Sequence, residues 1–181
     1  CPEEKELTKQ EYFELIRTAK REGKEKIGLI IQTIGSTGIR ISELPSITVQ
    51  AVKNGVAEVD CKGKNRQVLL PRKLLVKLMY YIRKEHIQCG PIFITKQGNP
   101  LDRSNIWKEM KKICRLAGVN EKKVFPHNLR HLFAYSFYQM EKDIAKLADL
   151  LGHSNINTTR IYIVSSGVEH RKQIEKMNLL L

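Results

Sequence analysis

Two short stretches hold the side chains able to do chemistry. PHNLRH, from Pro126 to His131, brings two imidazoles and a guanidinium close together, and LLGHSNINTTRIY, from Leu150 to Tyr162, adds a third imidazole and a phenol. A proline costs little as the first residue of a helix, where its missing N–H has no partner to lose. With Pro126 opening a helix, His127 and Arg130 lie three positions apart and project from one face. The second stretch continues DIAKLADLLG, a helix with Leu147, Leu150 and Leu151 on one stripe and Gly152 as its stop. His153 then stands at a helix end, not inside a core, and Tyr162 follows after a polar turn. An anion-gripping fork, a proton acceptor and a phenolic nucleophile are what cleaving a DNA phosphodiester through a tyrosine requires.

The elements that must position these residues read as mostly helical. Thr8 caps a helix carrying Tyr12, Phe13, Leu15 and Ile16, and IGLIIQTIG makes a second, apolar nearly all round and therefore buried, with Gly35 and Gly38 ending it. A third short helix begins near ISEL, and Arg40 sits at that junction directly after a glycine turn. ITVQAV, VAEVDCK and QVLLP are three strand-like runs separated by KNG and GKNR, which predicts a three-stranded antiparallel meander. Helices resume at RKLLVKLMYYIRKEHI and at SNIWKEMKKICRLAG, where Ser104 caps the start and Gly118 the end, and from Pro126 onward the pattern is helical. The expected class is α+β, mainly helical, in a single domain spanning 1–181.

The chain has 181 residues, enough for one sizeable core without help from disulfides or metals. Thirty-two Lys and Arg against nineteen Asp and Glu leave a formal charge of +13, which points to a polyanion and first of all to nucleic acid. No apolar run approaches the ~18 residues of a membrane span, and no signal peptide is visible. The cysteines at 1, 61, 89 and 114 form no Cys-x-x-Cys pair, so reduced thiols in a cytoplasm are expected over zinc or a disulfide framework. A first residue that is Cys, with no Met before it, suggests a fragment of a longer protein.

PHNLRH, LLGHSNINTTRIY, TGIRISEL and the basic hairpin CKGKNRQVLLP together, over about residues 8 to 175, resemble the catalytic domain of the tyrosine recombinases, also called the phage integrase family. Any single motif would be weak, but four on one basic helical chain are specific. The resemblance implies a mainly helical domain that clasps duplex DNA and cuts one strand without metal or nucleotide cofactor. By it Tyr162 is the nucleophile that forms a 3′-phosphotyrosyl link, and Arg40 and Arg130 are the paired arginines that steady the transition state. His127 takes or relays the tyrosine proton, and His153 hydrogen-bonds a phosphate oxygen. The leaving 5′-oxygen receives its proton from a hairpin lysine: Lys62 fits better by its place before the glycine, and Lys64 is the alternative. Glu43 is implied as a supporting residue, and Leu132, where the family usually has a small polar residue, as a packing change.

The resemblance further implies partners and a context. Expected are a site-specific recombinase or integrase of a prokaryote, phage or mobile element, working in the cytoplasm at the nucleoid on double-stranded DNA with specific recombination sites. A homotetramer on DNA, accessory DNA-bending proteins and no membrane association belong to the same expectation. A smaller N-terminal DNA-clamping domain is expected to be absent from this chain, and the tail 163–181, with its apolar MNLLL end, to dock onto a neighbouring protomer or to close this domain's own core. Two rivals remain: a DNA-binding module of the same fold that no longer cuts, and a strand-relaxing type IB topoisomerase. Taken one at a time the residues also have plain explanations, with Arg40 as a helix-end cation, His127 as a satisfied histidine and Tyr162 as a packed ring. Their combination weighs against these. Tyr80, Tyr81, Tyr135, Tyr138 and Trp107 read as core or surface packing.

Overall fold

A computed structural model of the chain describes residues 5–61, 63–124, 126–153, 156–160, 174–177 and 179. Lys62, Tyr162 and most of the tail 163–181 lie outside the described residues. Helix α1 (Lys9–Arg21) starts as its sequence requires: the Thr8 hydroxyl accepts from the Glu11 N–H at 3.1 Å while the Glu11 carboxylate accepts from the Thr8 N–H at 3.0 Å. Helix α2 (Glu25–Thr37) is buried along most of its length and ends at Gly38. Gly35 does not end it. That glycine lies within the helix, where an added Cβ would stand 2.6 Å from the Tyr12 ring of α1, so its absence of a side chain lets the two helices close together.

The predicted three-stranded sheet has two strands among the described residues. β1 (Val56–Cys61) pairs antiparallel with β2 (Lys64–Leu69) in the register Val56 to Leu69 and Cys61 to Lys64. ITVQAV, read as a strand for its β-branched residues, is instead a connector and helix α3 (Val49–Asn54). The Thr48 hydroxyl caps it by accepting from the Ala51 N–H at 3.0 Å, and Gly55 ends it in the left-handed conformation. Val49 and Val52, three apart, are both buried, which fits a helix face as well as a strand. Over so short a run the cap and the C-terminal glycine decide the outcome over β propensity. Only Thr48 keeps an isolated antiparallel bridge, to Pro91.

Helix α4 (Arg72–Lys84) and helix α5 (Arg103–Ala117) follow. The N-cap of α5 is Asp102, whose carboxylate accepts from the Ser104 N–H at 3.0 Å, so Ser104 lies just inside the helix instead of capping it. Helix α6 (Pro126–Glu141) does open on Pro126, and α7 (Ile144–Leu151) ends at Gly152, with α8 (Ile156–Arg160) close behind. The main apolar core runs from Leu7 to Leu129 through α1, α2, the sheet and α4 to α6, with Leu132 packed against it; a smaller cluster of Ala134, Leu147 and Leu151 ties α6 to α7. Tyr81 is buried as a packing residue, whereas Tyr80 and Trp107 are exposed and the Lys111 ammonium lies over the Trp107 ring. Cys89 and Cys114 are free thiols. No helix among the described residues is long and apolar enough to cross a membrane.

Candidate active site

Arg40 is delivered by the end of α2. The Thr37 hydroxyl donates to the Thr33 carbonyl at 2.6 Å and accepts from the Ile39 N–H at 3.2 Å, turning the chain out of the helix while the fully buried Ile39 anchors it. Arg40 then precedes a 3₁₀ turn, Ile41–Ser46, whose Glu43 carboxylate accepts from the Arg40 N–H at 2.9 Å. Glu43 is itself buried and holds two guanidinium groups. Arg66 of β2 forks onto it at 2.7 and 3.1 Å, and Arg40 Nη1 touches it at 3.5 Å. Burial pushes the Glu43 carboxyl up, but the Arg66 hydrogen bonds and the Arg40 N–H outweigh this and hold it below its ordinary value, so it stays charged.

Arg130 directly follows, and His127 belongs to, the first turn of α6. The Asn128 amide fixes that turn, donating to the carbonyls of Lys123 at 2.6 Å and Lys5 at 3.0 Å. His127 stands at the surface and Arg130 is buried. The Arg130 guanidinium crosses to the end of α7, donating to the Leu151 carbonyl at 3.3 Å and lying 3.5 Å from His153 Nε2. Gly152, in the left-handed conformation, puts His153 beyond the helix as expected. On the far side of that ring Nδ1 lies 2.7 Å from the buried Thr159 hydroxyl of α8. A ring that accepts from Arg130 through Nε2 donates through Nδ1 to Thr159, and a threonine hydroxyl can also reverse that bond to leave Nε2–H for another acceptor.

Burial, and after it the charge around these imidazoles, keeps them neutral. Burial, then the charges of Arg130, Arg40 and Arg66, lowers His153 to about 4. His131, whose ring centre is 5.3 Å from that of His127, is likewise lowered to about 4, by burial and then by its two neighbours. His127 is lowered by what burial it has and by Arg130. An open cleft of about 860 Å³ is lined by Arg40, Lys64, Arg66, Lys146, His153 and Thr158 among others. Arg40, Arg130, His153 and Lys64 are thus brought together from four separate segments, with His127 one helical turn from Arg130.

Arg66 and Thr159 escaped the reading of the sequence. Arg66 falls within the turn signal GKNR, yet it lies in phase with the buried Val68 and Leu70, and that period of two places it on the inner face. Nothing in the sequence around Thr159 announces its bond to His153.

The cleft's basic walls and paired arginines suit a phosphodiester, and comparison with known proteins decides the lineage. The model of the phage integrase family matches residues 5–167. The chain belongs to the phage integrase family. Among family relatives, tyrosine recombinase XerA of Pyrococcus furiosus is 30% identical over 183 residues, covering 97% of this chain and 63% of XerA. The crystal structure of XerA recombinase superposes with a TM-score of 0.81 at 24% identity, over 97% of this chain and 64% of that one. XerH site-specific recombinase, bound to palindromic difH substrate in a post-cleavage complex, superposes with a TM-score of 0.79 at 23% identity, over 94% and 52%. These likenesses establish a phage integrase fold, and the chain spans under two thirds of the length of those relatives.

Proposed function

We propose that this chain is the strand-cleaving domain of a site-specific DNA recombinase. The observation that carries this reading is the convergence of Arg40, His153 and Lys64 around one cleft, with the buried Arg130 guanidinium 3.5 Å behind the His153 ring. A phosphate seated there meets two guanidinium groups, whose donors steady the charge that builds on the non-bridging oxygens. Neutral His153 gives its N–H to a phosphate oxygen, with Thr159 holding the other ring nitrogen. The Tyr162 oxygen attacks phosphorus and its proton passes to His127, which is neutral and able to accept. The P–O5′ bond breaks and the leaving oxygen takes a proton from Lys62 or Lys64, of which Lys64 lines the cleft.

The product is a 3′-phosphotyrosyl link and a free 5′-hydroxyl, and reversal of the step on a partner strand rejoins DNA. Post-cleavage XerH supports the reading, since its fold is shared. On this view the protein works at the nucleoid as a homotetramer on DNA, with accessory bending proteins. The exposed side chains of Ile174, Met177 and Leu179 support a tail that docks on a neighbour.

The test is to mix the chain, and Tyr162→Phe, with nicked duplexes of randomised core, and to sequence any DNA that stays attached through SDS. An adduct that requires Tyr162 is expected. No adduct from the chain or from its full-length parent on its own element's DNA leaves the non-cutting DNA-binding module as the better reading.

A further inference from the structure

Arg66 has no part in the chemistry just described, yet three of its N–H groups are engaged in the wall of the cleft. We propose that Arg66 is a positioning residue: its guanidinium saturates Glu43 so that Arg40 is left for the phosphate, and its stem clamps the helix end from which His153 projects. The proposal rests on the strand-cleavage reading above.

Two guanidinium groups compete for one carboxylate, and the distances say which holds it. Arg66 takes both oxygens at 2.7 and 3.1 Å, whereas the Arg40 side chain has a single contact at 3.5 Å. The Arg66 and Glu43 side chains are 8% and 7% exposed, and that of Arg40 is 30% exposed on the cleft. A buried carboxylate stripped of its fork must find another cation, and the adjacent Arg40 guanidinium is the nearest. Arg40 would close onto Glu43 and withdraw from the phosphate. A lysine at position 66 would not prevent this, because a point charge on a flexible stem cannot fill both oxygens and a third acceptor together.

The third acceptor is the Leu150 carbonyl, bonded by Arg66 Nε at 3.1 Å. It belongs to the last turn of α7, where carbonyls have no helical N–H to meet. Gly152 lies against the same stem: a Cβ there would stand 2.8 Å from Arg66 Cδ. One planar group therefore sets the register of three segments, those that carry Arg40, His153 and the lysines of the hairpin.

The experiment uses the duplex recovered through the Tyr162 adduct and compares the wild-type chain with Arg66→Lys, Arg66→Met and Arg66→Met/Glu43→Gln, below the lowest melting transition of the set. First-order cleavage at saturating duplex is expected to fall by about 10²-fold in both single variants while Kd stays within about threefold. Glu43→Gln in the Arg66→Met background is expected to restore about tenfold, since the amide still accepts the Arg40 N–H but no longer captures its guanidinium. Wild-type cleavage by Arg66→Met, a loss confined to Kd, or a double variant no faster than its parent overturns the proposal. Should Arg66→Met not fold, Arg66→Lys against Arg66→Lys/Glu43→Gln carries the same comparison. A wild-type chain that cleaves nothing removes the strand-cleavage reading and this proposal with it, whereas wild-type cleavage with an indifferent Arg66→Met rejects only the role of Arg66.

Discussion

The three imidazoles beside Arg130 share one electrostatic fate, being kept neutral by burial and by the guanidinium groups around them. That makes stability depend on pH with a definite sign. His131 and His153 titrate near their ordinary 6.5 when unfolded and at about 4 when folded, so between these values the unfolded chain binds more protons. Their contribution is complete above 6.5 and is lost as the pH falls towards 4; Glu43 adds a loss in the same direction only below its ordinary 4.5. Melting temperatures across that window should fall with pH in the wild-type chain and fall less in His131→Gln/His153→Gln. Equal slopes in the two proteins would show that these rings are not the groups responsible.

Among the elements, the end of α7 does most to place the site. Gly152 there answers two demands, a φ of +76° and the packing of the Arg66 stem, and only a residue without Cβ meets both. Gly152→Ala is expected to cost about 1–3 kcal/mol in urea unfolding from backbone strain alone. It should also slow cleavage by shifting His153 and Arg66 together. Full activity in a destabilised Gly152→Ala would show that the helix end tolerates displacement. The hairpin and α3 teach the opposite lesson about legibility. β1 and β2 stood out through their alternation and the glycine turn, while ITVQAV carried strand-like residues but a helix's cap and stop, and the local hydrogen bonds of Thr48 prevailed.

For the whole molecule the formal charge of +13 is the dominant long-range property. Binding to duplex DNA should weaken with salt, log Kd changing with log salt by about 0.9 for each phosphate neutralised. Anisotropy titrations over a salt series would measure this, and sedimentation of the same complexes would follow assembly. Deleting Met177 to Leu181 is expected to leave the slope and the melt in place and to reduce the mass of the DNA complex. A melted domain would mean instead that the tail closes its own core. A slope near zero would contradict a phosphate-gripping surface.

Spacing along the chain determined the ends of the helices that carry the candidate groups. Pro126 started α6, Gly152 stopped α7 and Gly38 preceded Arg40, because caps and left-handed glycines act through backbone bonds a few residues long. The motif order also revealed the family, since four weak patterns in sequence are jointly improbable. Tertiary structure alone decided how these segments meet. The sharing of Glu43 between Arg40 and Arg66, the reach of Arg66 to a carbonyl 84 residues away and the reach of Arg130 to the end of α7 are contacts between distant segments. They depend on how α2, α6, α7 and the sheet pack, and no local periodicity encodes that.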